Sequence, residues 1–262
     1  MDQTRIDAYL HRIGAERPTA PTAEALRALH LAHLRSVPFE NLALHLGEDV
    51  VLESDALVAK VVDRRRGGFC YELNGAFAAL LGSLGFEVTL LQARVVGKDG
   101  RPGIPYDHMA LRVRTADGGD LLADIGFGAF CHLPLVYDER GDQRDPGGVF
   151  RIEDAAHGDL LVVQDGKPQY LLDQRPRELR DFEAGAWYHR TSPASHFTRS
   201  LVCSRLTEDG RITLSGHTLT TTVDGRRTDR ELGTDAAVLD AYGRHFGIAL
   251  DLLPSEPKSA EG

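Results

Sequence analysis

Residues 66–74 read Arg-Gly-Gly-Phe-Cys-Tyr-Glu-Leu-Asn, a glycine turn followed by a cysteine at the start of a helix predicted over 70–83. The two glycines allow the chain to turn tightly into the helix. A thiol at a helix N-terminus lies at the positive end of the helix dipole, which favours the thiolate, and the N–H groups there can hold an oxyanion. Cys70 is therefore a candidate nucleophile, although most free cysteines are small buried hydrophobes.

The chain before this stretch is predicted to be helical. Apolar residues at helical spacing indicate a first helix over 6–13, which Gly14 ends. Thr22 can cap a second helix, and Pro38 ends it because proline lacks the N–H group that a helix needs. A third helix is predicted over 54–65 from its apolar face.

From residue 87 onward the pattern changes to strands. Runs of β-branched and alternating apolar residues predict strands at 88–96, 109–114, 121–125, 159–164, 169–172, 200–206 and 211–214. A turn at 116–120 predicts a hairpin, and the polar stretch 138–148 is expected to be an exposed loop. A last helix is predicted over about 234–245 and a disordered tail from Pro254. Helices followed by strands indicate an α+β fold.

Composition and charge limit the classes of function. A net charge of -9 provides no basic surface for nucleic acid and disfavours an anionic membrane surface. No apolar run approaches the ~20 residues that span a bilayer, and the N-terminus does not resemble a secretion signal. The 3 cysteines have no CxxC spacing, which argues against a disulfide framework or a metal site and favours a reducing, cytoplasmic location.

Two further residues could complete a catalytic arrangement with Cys70. His108 begins a predicted strand and could take the proton of the thiol, although it is one of 11 histidines and could equally be a surface residue. Asp124 lies inside the next predicted strand, where it could orient His108 across the hairpin or bond to N–H groups of the following glycine turn. Together they form the papain-like order Cys–His–Asp, which supports a thiol nucleophile without deciding between hydrolysis and transfer.

Several long motifs resemble those of the arylamine N-acetyltransferases. Residues 66–74 are similar to the family signature RGGxCxExN, and residues 38–42 to its PFENL segment. Residues 107–109, 124–128 and 192–197 resemble the family's histidine, D-[IV]-G-F-G and third-domain segments. These motifs occur in the family's order between about residues 38 and 200, so the resemblance covers most of the chain.

The resemblance implies a fold and an activity. It implies a helical bundle over 1–86 that carries the nucleophile, a β-barrel over 87–185 that carries the histidine and aspartate, and an α/β lid over 186–262. It implies transfer of an acetyl group from acetyl-CoA, a co-substrate rather than a tightly bound cofactor, to arylamines, arylhydroxylamines or hydrazines.

The resemblance also assigns residues around the predicted triad. The positions that match the family's substrate pocket are Phe39, Val95, Phe127, Gly128 and Phe197. The positions that match a structural cluster, in which an ion pair fixes the loop of the cysteine, are Arg66, Glu40 and Asn41. Cys131 could lie near the site, or it could be a buried, inert thiol.

Three other functions share parts of this pattern. The family includes amide synthases that close a macrolactam from a carrier-bound polyketide thioester, so a carrier protein is an alternative partner. A papain-like hydrolase or amidase would use the same nucleophile but release acid without an acceptor amine. A catalytically silent binding protein is the third alternative, and intact Cys70, His108 and Asp124 argue against it.

Overall fold

The computed structural model describes residues 1–255, and the first part of this chain is a bundle of five helices. The helices are α1 (Gln3–Ile13), α2 (Ala23–Ser36), α3 (Leu42–Leu46), α4 (Ser54–Val62) and α5 (Cys70–Ser83). The four longer helices confirm the predicted ones, whereas the short α3 was not predicted. Part of the tail from Pro254, predicted to be disordered, lies outside the described residues.

Local interactions fix the ends of these helices. The side chains of Asp2 and Thr22 accept hydrogen bonds from backbone N–H groups three residues later, which caps α1 and α2. The prediction that the third helix reaches residue 65 is wrong, because α4 ends at Val62. Arg65 has a φ of 52°, a left-handed conformation that an α-helix cannot contain.

Eight antiparallel strands follow and form a nearly closed barrel. They are β2 (Glu87–Val95), β3 (His108–Arg114), β4 (Asp120–Ala123), β5 (Leu135–Val136), β6 (Gln143–Asp145), β7 (Gly148–Asp154), β8 (Leu160–Gln164) and β9 (Lys167–Leu172), in the order β5-β4-β3-β2-β9-β8-β7-β6. The two edge strands meet where the side-chain amide of Gln143 bonds to both backbone groups of Val136, at 2.7 and 3.0 Å.

The prediction of an exposed loop over 138–148 is wrong in part. Strand β6 lies inside this stretch and pairs with β7, and β7 was not predicted. The sequence of β6 has no apolar alternation, because all three of its residues are polar, and the side chains of Gln143 and Asp145 bond to backbone groups. Asp145 accepts hydrogen bonds from the N–H groups of His132 and Leu133, both at 2.9 Å.

Within the described residues, the last part of the chain forms a second antiparallel sheet, here called the lid sheet, with three α-helices. Its strands are β1 (Phe39–Glu40), β10 (Cys203–Leu206), β11 (Gly210–Ser215), β12 (Thr218–Val223) and β13 (Arg226–Glu231), in that order, and its helices are α6 (Glu183–Thr191), α7 (His196–Arg199) and α8 (Asp235–Ala241). Strand β1 comes from the helical part, with Phe39 opposite Ser204. The exact domain boundaries at residues 86 and 185 stay a prediction.

Helix α5 packs against strand β3, and this contact positions the candidate site. Phe77 and Leu80 of α5 share one apolar core with Met109 and Leu111 of β3, all fully buried. The core therefore fixes the start of α5 close to the start of β3. Among the described residues, no helix is long and apolar enough to cross a membrane.

Candidate active site

Cys70 is the first residue of α5 and is 3% exposed. The chain reaches it through a tightly packed turn, in which a β-carbon on Gly67 would lie 1.8 Å from the carbonyl oxygen of Pro38. A side chain at that position would push the two segments apart, so the glycine is required for this close approach. The helix start and the glycine turn around Cys70 are as predicted.

His108 and Asp124 lie side by side near the Cys70 thiol. Strand β3 begins at His108, and the neighbouring strand β4 ends one residue before Asp124. The His108 Nε2 and Asp124 Oδ2 atoms are 2.7 Å apart, and the two residues are 2% and 1% exposed. The other Asp124 oxygen accepts hydrogen bonds from the Asn74 side chain and the Gly126 N–H, both at 3.0 Å.

The structure brings the three residues of the predicted triad together. Because Nε2 of His108 bonds to Asp124, Nδ1 is the ring nitrogen left to interact with the Cys70 thiol, and that interaction contributes to the raised pKa of His108. The turn after Asp124 also touches the nucleophile, since a β-carbon on Gly126 would lie 2.7 Å from the Cys70 Cα atom. The three side chains meet where the helical bundle and the barrel pack together.

The charges of His108 and Asp124 are set by their burial and by their pairing with each other. Burial opposes a charge on His108, but the charge of Asp124 and hydrogen bonds to Asp124 and Cys70 raise its pKa to about 10. Burial also opposes the charge of Asp124, but His108 and the hydrogen bonds that Asp124 accepts lower its pKa overall. The arrangement therefore keeps an imidazolium beside the thiol and a carboxylate behind it.

One cavity next to the predicted triad is lined by all five residues assigned to the substrate pocket. They are Phe39, Val95, Phe127, Gly128 and Phe197. The cavity has a volume of about 1090 Å³, and Cys70 and His108 form part of its wall. The rings of Phe39 and Phe197 pack at a tilt with centroids 6.1 Å apart, and the centroid of the Phe127 ring lies 5.1 Å from that of the His108 ring. The structure thus brings together the residues that the resemblance assigns to the substrate pocket.

The three residues assigned to the structural cluster make two separate sets of contacts. Arg66 Nε lies 3.0 Å from Glu40 Oε1, and the Glu40 N–H donates to the Gly68 carbonyl at 2.9 Å, which holds β1 against the loop of the cysteine. Asn41 instead contacts α7 and the residue just before β10. Its side chain donates to the Phe197 carbonyl at 3.0 Å and accepts from the Val202 N–H at 2.9 Å.

Known proteins with the same sequence pattern decide the family. A family model described as N-acetyltransferase matches residues 22–254. The arylamine N-acetyltransferase of Mycolicibacterium smegmatis is 38% identical over 255 residues, covering 94% of this chain and 92% of the relative. The chain belongs to the arylamine N-acetyltransferase family.

Solved structures of arylamine N-acetyltransferases have the same fold. The Mycobacterium smegmatis structure matches with a TM-score of 0.86 and 38% identity, covering 95% of this chain and 93% of that chain. The Mycobacterium marinum enzyme, solved in complex with CoA, matches with a TM-score of 0.85 and 33% identity, covering 93% of this chain and 92% of that chain. These likenesses confirm the α+β fold and show that the chain is an acyltransferase. No observation favours the amide synthase alternative.

Two residues of this arylamine N-acetyltransferase site were missed in the sequence. The Tyr170 ring packs on His108 and Phe127, with centroids 5.3 and 5.1 Å away, and burial raises its pKa well above the ordinary value. His30 accepts a hydrogen bond from the Asp124 N–H at 3.3 Å, and burial lowers its pKa to about 4. Tyr170 sits in a correctly predicted strand, but no local pattern distinguishes either residue.

A third missed feature is a buried ion pair behind the cysteine. Lys60 and Glu72 are 4% and 2% exposed, and Lys60 Nζ lies 2.5 Å from Glu72 Oε1. The second Glu72 oxygen accepts a hydrogen bond from the Phe69 N–H at 3.3 Å, at the cap of α5. The one available signal was that Lys60 interrupts the apolar face of its helix.

Cys131 lies in the core of the barrel rather than in the cavity wall. It is 2% exposed and packs with Leu122 and Phe130. Burial raises its pKa well above the ordinary value, and the charge of Asp124 adds to the shift. This environment keeps the thiol neutral, so Cys131 matches the inert alternative.

Proposed function

We propose that this arylamine N-acetyltransferase transfers an acetyl group from acetyl-CoA to a small aromatic amine, hydroxylamine or hydrazine through acetyl-Cys70. The observation that carries the proposal is the buried His108–Asp124 pair, whose Nε2 and Oδ2 atoms are 2.7 Å apart, with His108 and Cys70 both in the wall of one cavity. Acetyl-CoA acts as a co-substrate that enters and leaves, and the M. marinum relative solved with CoA supports this assignment.

The first half-reaction acetylates the cysteine. The Cys70 thiolate attacks the thioester carbonyl, and N–H groups in the first turn of α5 stabilise the oxyanion. The bond from the carbonyl carbon to the CoA sulfur breaks, and the leaving thiolate takes the proton of the His108 imidazolium. Asp124 orients the ring and stabilises its charged form throughout.

The second half-reaction releases the product. The amine attacks acetyl-Cys70 and gives a proton to neutral His108, which restores the imidazolium as the Cys70 thiolate leaves. Transfer is favoured over hydrolysis when the amine is held at attack distance and water is excluded. We assign that task to the rings of Phe39, Phe127 and Phe197, and we regard Arg66, Glu40 and Asn41 as scaffold.

We also place this reaction in the cytoplasm. All 3 cysteines are unpaired, as is typical of proteins in a reducing compartment. A free thiol at position 70 is required by the mechanism, so oxidising conditions would inactivate the enzyme.

Acceptor-dependent turnover tests the proposed function. The protein is incubated with acetyl-CoA in the presence and absence of an arylamine such as aniline, and CoA, acetate and N-acetyl product are measured. The proposal predicts one N-acetyl product for each CoA released, and no product from Cys70→Ser. Acetate release that is independent of the amine would identify a hydrolase, and turnover only with a carrier-linked thioester would identify an amide synthase.

A further inference from the structure

Arg211 of strand β11 reaches from the lid sheet into the wall of the cavity. Its Nη2 atom donates to the Gly128 carbonyl at 2.9 Å, and its Nη1 atom donates to the Ser204 hydroxyl at 3.2 Å. Both acceptors are neutral. Because a guanidinium group carries five N–H donors, these two contacts leave donors of Arg211 for a molecule in the cavity.

No carboxylate in the described chain neutralises this guanidinium. Within residues 1–255, Arg211 forms no ion pair, whereas several other arginines each pair with a carboxylate. Burial lowers the pKa of Arg211, and no neighbouring charge opposes the shift. Arg66 is a contrasting case, since Glu40 and Glu48 both pair with it.

The cavity around Arg211 carries an excess of positive charge. Lys98 and Arg199 also line it, whereas Asp107, the one acidic residue among its described lining residues, has its Oδ1 atom 3.1 Å from His189 Nε2. This excess occurs in a chain whose net charge is -9. A partly desolvated cation without an internal partner is stabilised when a bound anion supplies the opposite charge.

We propose that Arg211 is an anion-binding residue of this cavity, which recognises an oxyanion carried by a substrate. The proposal rests on the proposed function and adds a specificity-determining residue to it. The oxyanion has two sources, a carboxylate on the ring of the acceptor amine or a phosphate of the donor.

The position of Arg211 is compatible with both sources. Arg211 lines the same cavity as Cys70, and its partner Gly128 lies two residues after Gly126, whose backbone packs on Cys70. An aromatic amine with its nitrogen at acetyl-Cys70 extends its far substituents away from the thiol. The donor fills the same cavity in the preceding half-reaction.

Matched pairs of substrates separate the two sources. The acceptor pair is 4-aminobenzoate and neutral 4-aminobenzamide, and the donor pair is acetyl-CoA and S-acetylpantetheine, which has the same thioester arm without phosphates. The variants are Arg211→Gln, which is neutral but can still donate to Gly128, and Arg211→Lys, which keeps the charge. Arg205→Met is the control, because Arg205 also bonds to backbone carbonyls from the lid sheet but lies outside the cavity wall.

For Arg211→Gln we expect kcat/KM for the anionic member of one pair to fall about tenfold relative to its neutral partner. A loss confined to the acceptor pair identifies a carboxylate site, and a loss confined to the donor pair identifies a phosphate site. Arg211→Lys should retain most of the preference, and Arg205→Met should leave both ratios unchanged. Unchanged ratios in Arg211→Gln overturn the proposal.

The donor arm does not depend on amine acetylation, because it is measured as acetyl-enzyme by mass spectrometry. Calorimetry measures the corresponding ratios of binding affinity without any reaction. It compares CoA with pantetheine, and 4-aminobenzoate with 4-aminobenzamide. If the wild-type protein acetylates no arylamine, the proposed function fails. The binding ratios of Arg211→Gln then still decide whether Arg211 recognises an anion.

Discussion

His108 Nε2 lies 2.7 Å from Asp124 Oδ2, and both residues are almost completely buried. His108 begins β3, and Asp124 directly follows the neighbouring strand β4, so the barrel holds the two side chains at a fixed distance. A buried imidazole retains its proton only if an opposite charge compensates for the lost water, and Asp124 supplies that charge. The reactivity of Cys70 therefore depends on a carboxylate that the Cys70 thiol does not touch.

Removal of the Asp124 charge should slow acetylation of Cys70. Asp124→Asn keeps the size of the side chain but removes the charge that stabilises the imidazolium, so we expect a loss of about three orders of magnitude in single-turnover rate with acetyl-CoA. Asp120→Asn is the control, because Asp120 lies at the other end of β4 and pairs with Arg112. Near wild-type acetylation in Asp124→Asn would contradict the assigned role.

Alkylation of Cys70 at neutral pH should depend on the imidazolium of His108. The pKa of His108 is raised to about 10, so the imidazolium is present at neutral pH and is lost only as the pH rises through that value. Because an adjacent imidazolium favours the thiolate, reaction with iodoacetamide at neutral pH should be about tenfold faster in the wild type than in His108→Gln, and this advantage should disappear as the pH rises through about 10. Peptide mass mapping measures the rate at Cys70, and equal rates at neutral pH in both proteins would refute the pairing.

The buried pair of Lys60 and Glu72 should act as one unit. Lys60→Met leaves a buried carboxylate without its partner, which should lower the free energy of unfolding by about 3–5 kcal/mol and slow alkylation of Cys70. The double variant Lys60→Met/Glu72→Gln removes both charges and should recover most of each loss. Arg5→Met, which breaks an exposed pair with Asp63, should cost only about 0–1 kcal/mol. Chemical denaturation measures these values, and additive losses in the double variant would contradict the coupling.

Loss of the Asn41 side chain should admit water to acetyl-Cys70. Asn41→Ala removes the hydrogen bonds to the backbone of Phe197 and Val202, two residues that line the cavity. We expect faster release of acetate from acetyl-CoA without an amine, because water exclusion favours transfer. His217→Gln removes a lid contact to the Leu232 carbonyl outside the cavity wall and should not raise hydrolysis. Unchanged hydrolysis in Asn41→Ala would limit this residue to a structural role.

Much of the site could be predicted from the sequence because its signals are local. The glycine turn before Cys70 and the hairpin that joins His108 to Asp124 each occupy a short stretch. The α+β fold class was predicted from the apolar residues, which occur at helical spacing before residue 87 and in strand-like runs after it. The pocket residues come from separate elements, and only the family resemblance predicted that they would meet in one cavity.

Other features depend on tertiary contacts that local patterns do not encode. Burial of Lys60 requires Glu72 from the next helix, and strand β6 requires backbone partners for its polar side chains. Strand β13 was missed because all six of its residues are exposed and none alternates between core and solvent. Helix α4 ended early because the turn toward Cys70 requires a left-handed residue at Arg65.

Intact mass spectrometry after incubation with acetyl-CoA tests the central claim most directly. The mechanism predicts the addition of one acetyl group, located on the peptide that contains Cys70, and no addition to Cys70→Ser. Transfer of the labelled acetyl group to an added arylamine should then return the protein to its original mass. Release of CoA without an acetyl group on Cys70, or acetylation at another residue, would contradict the account.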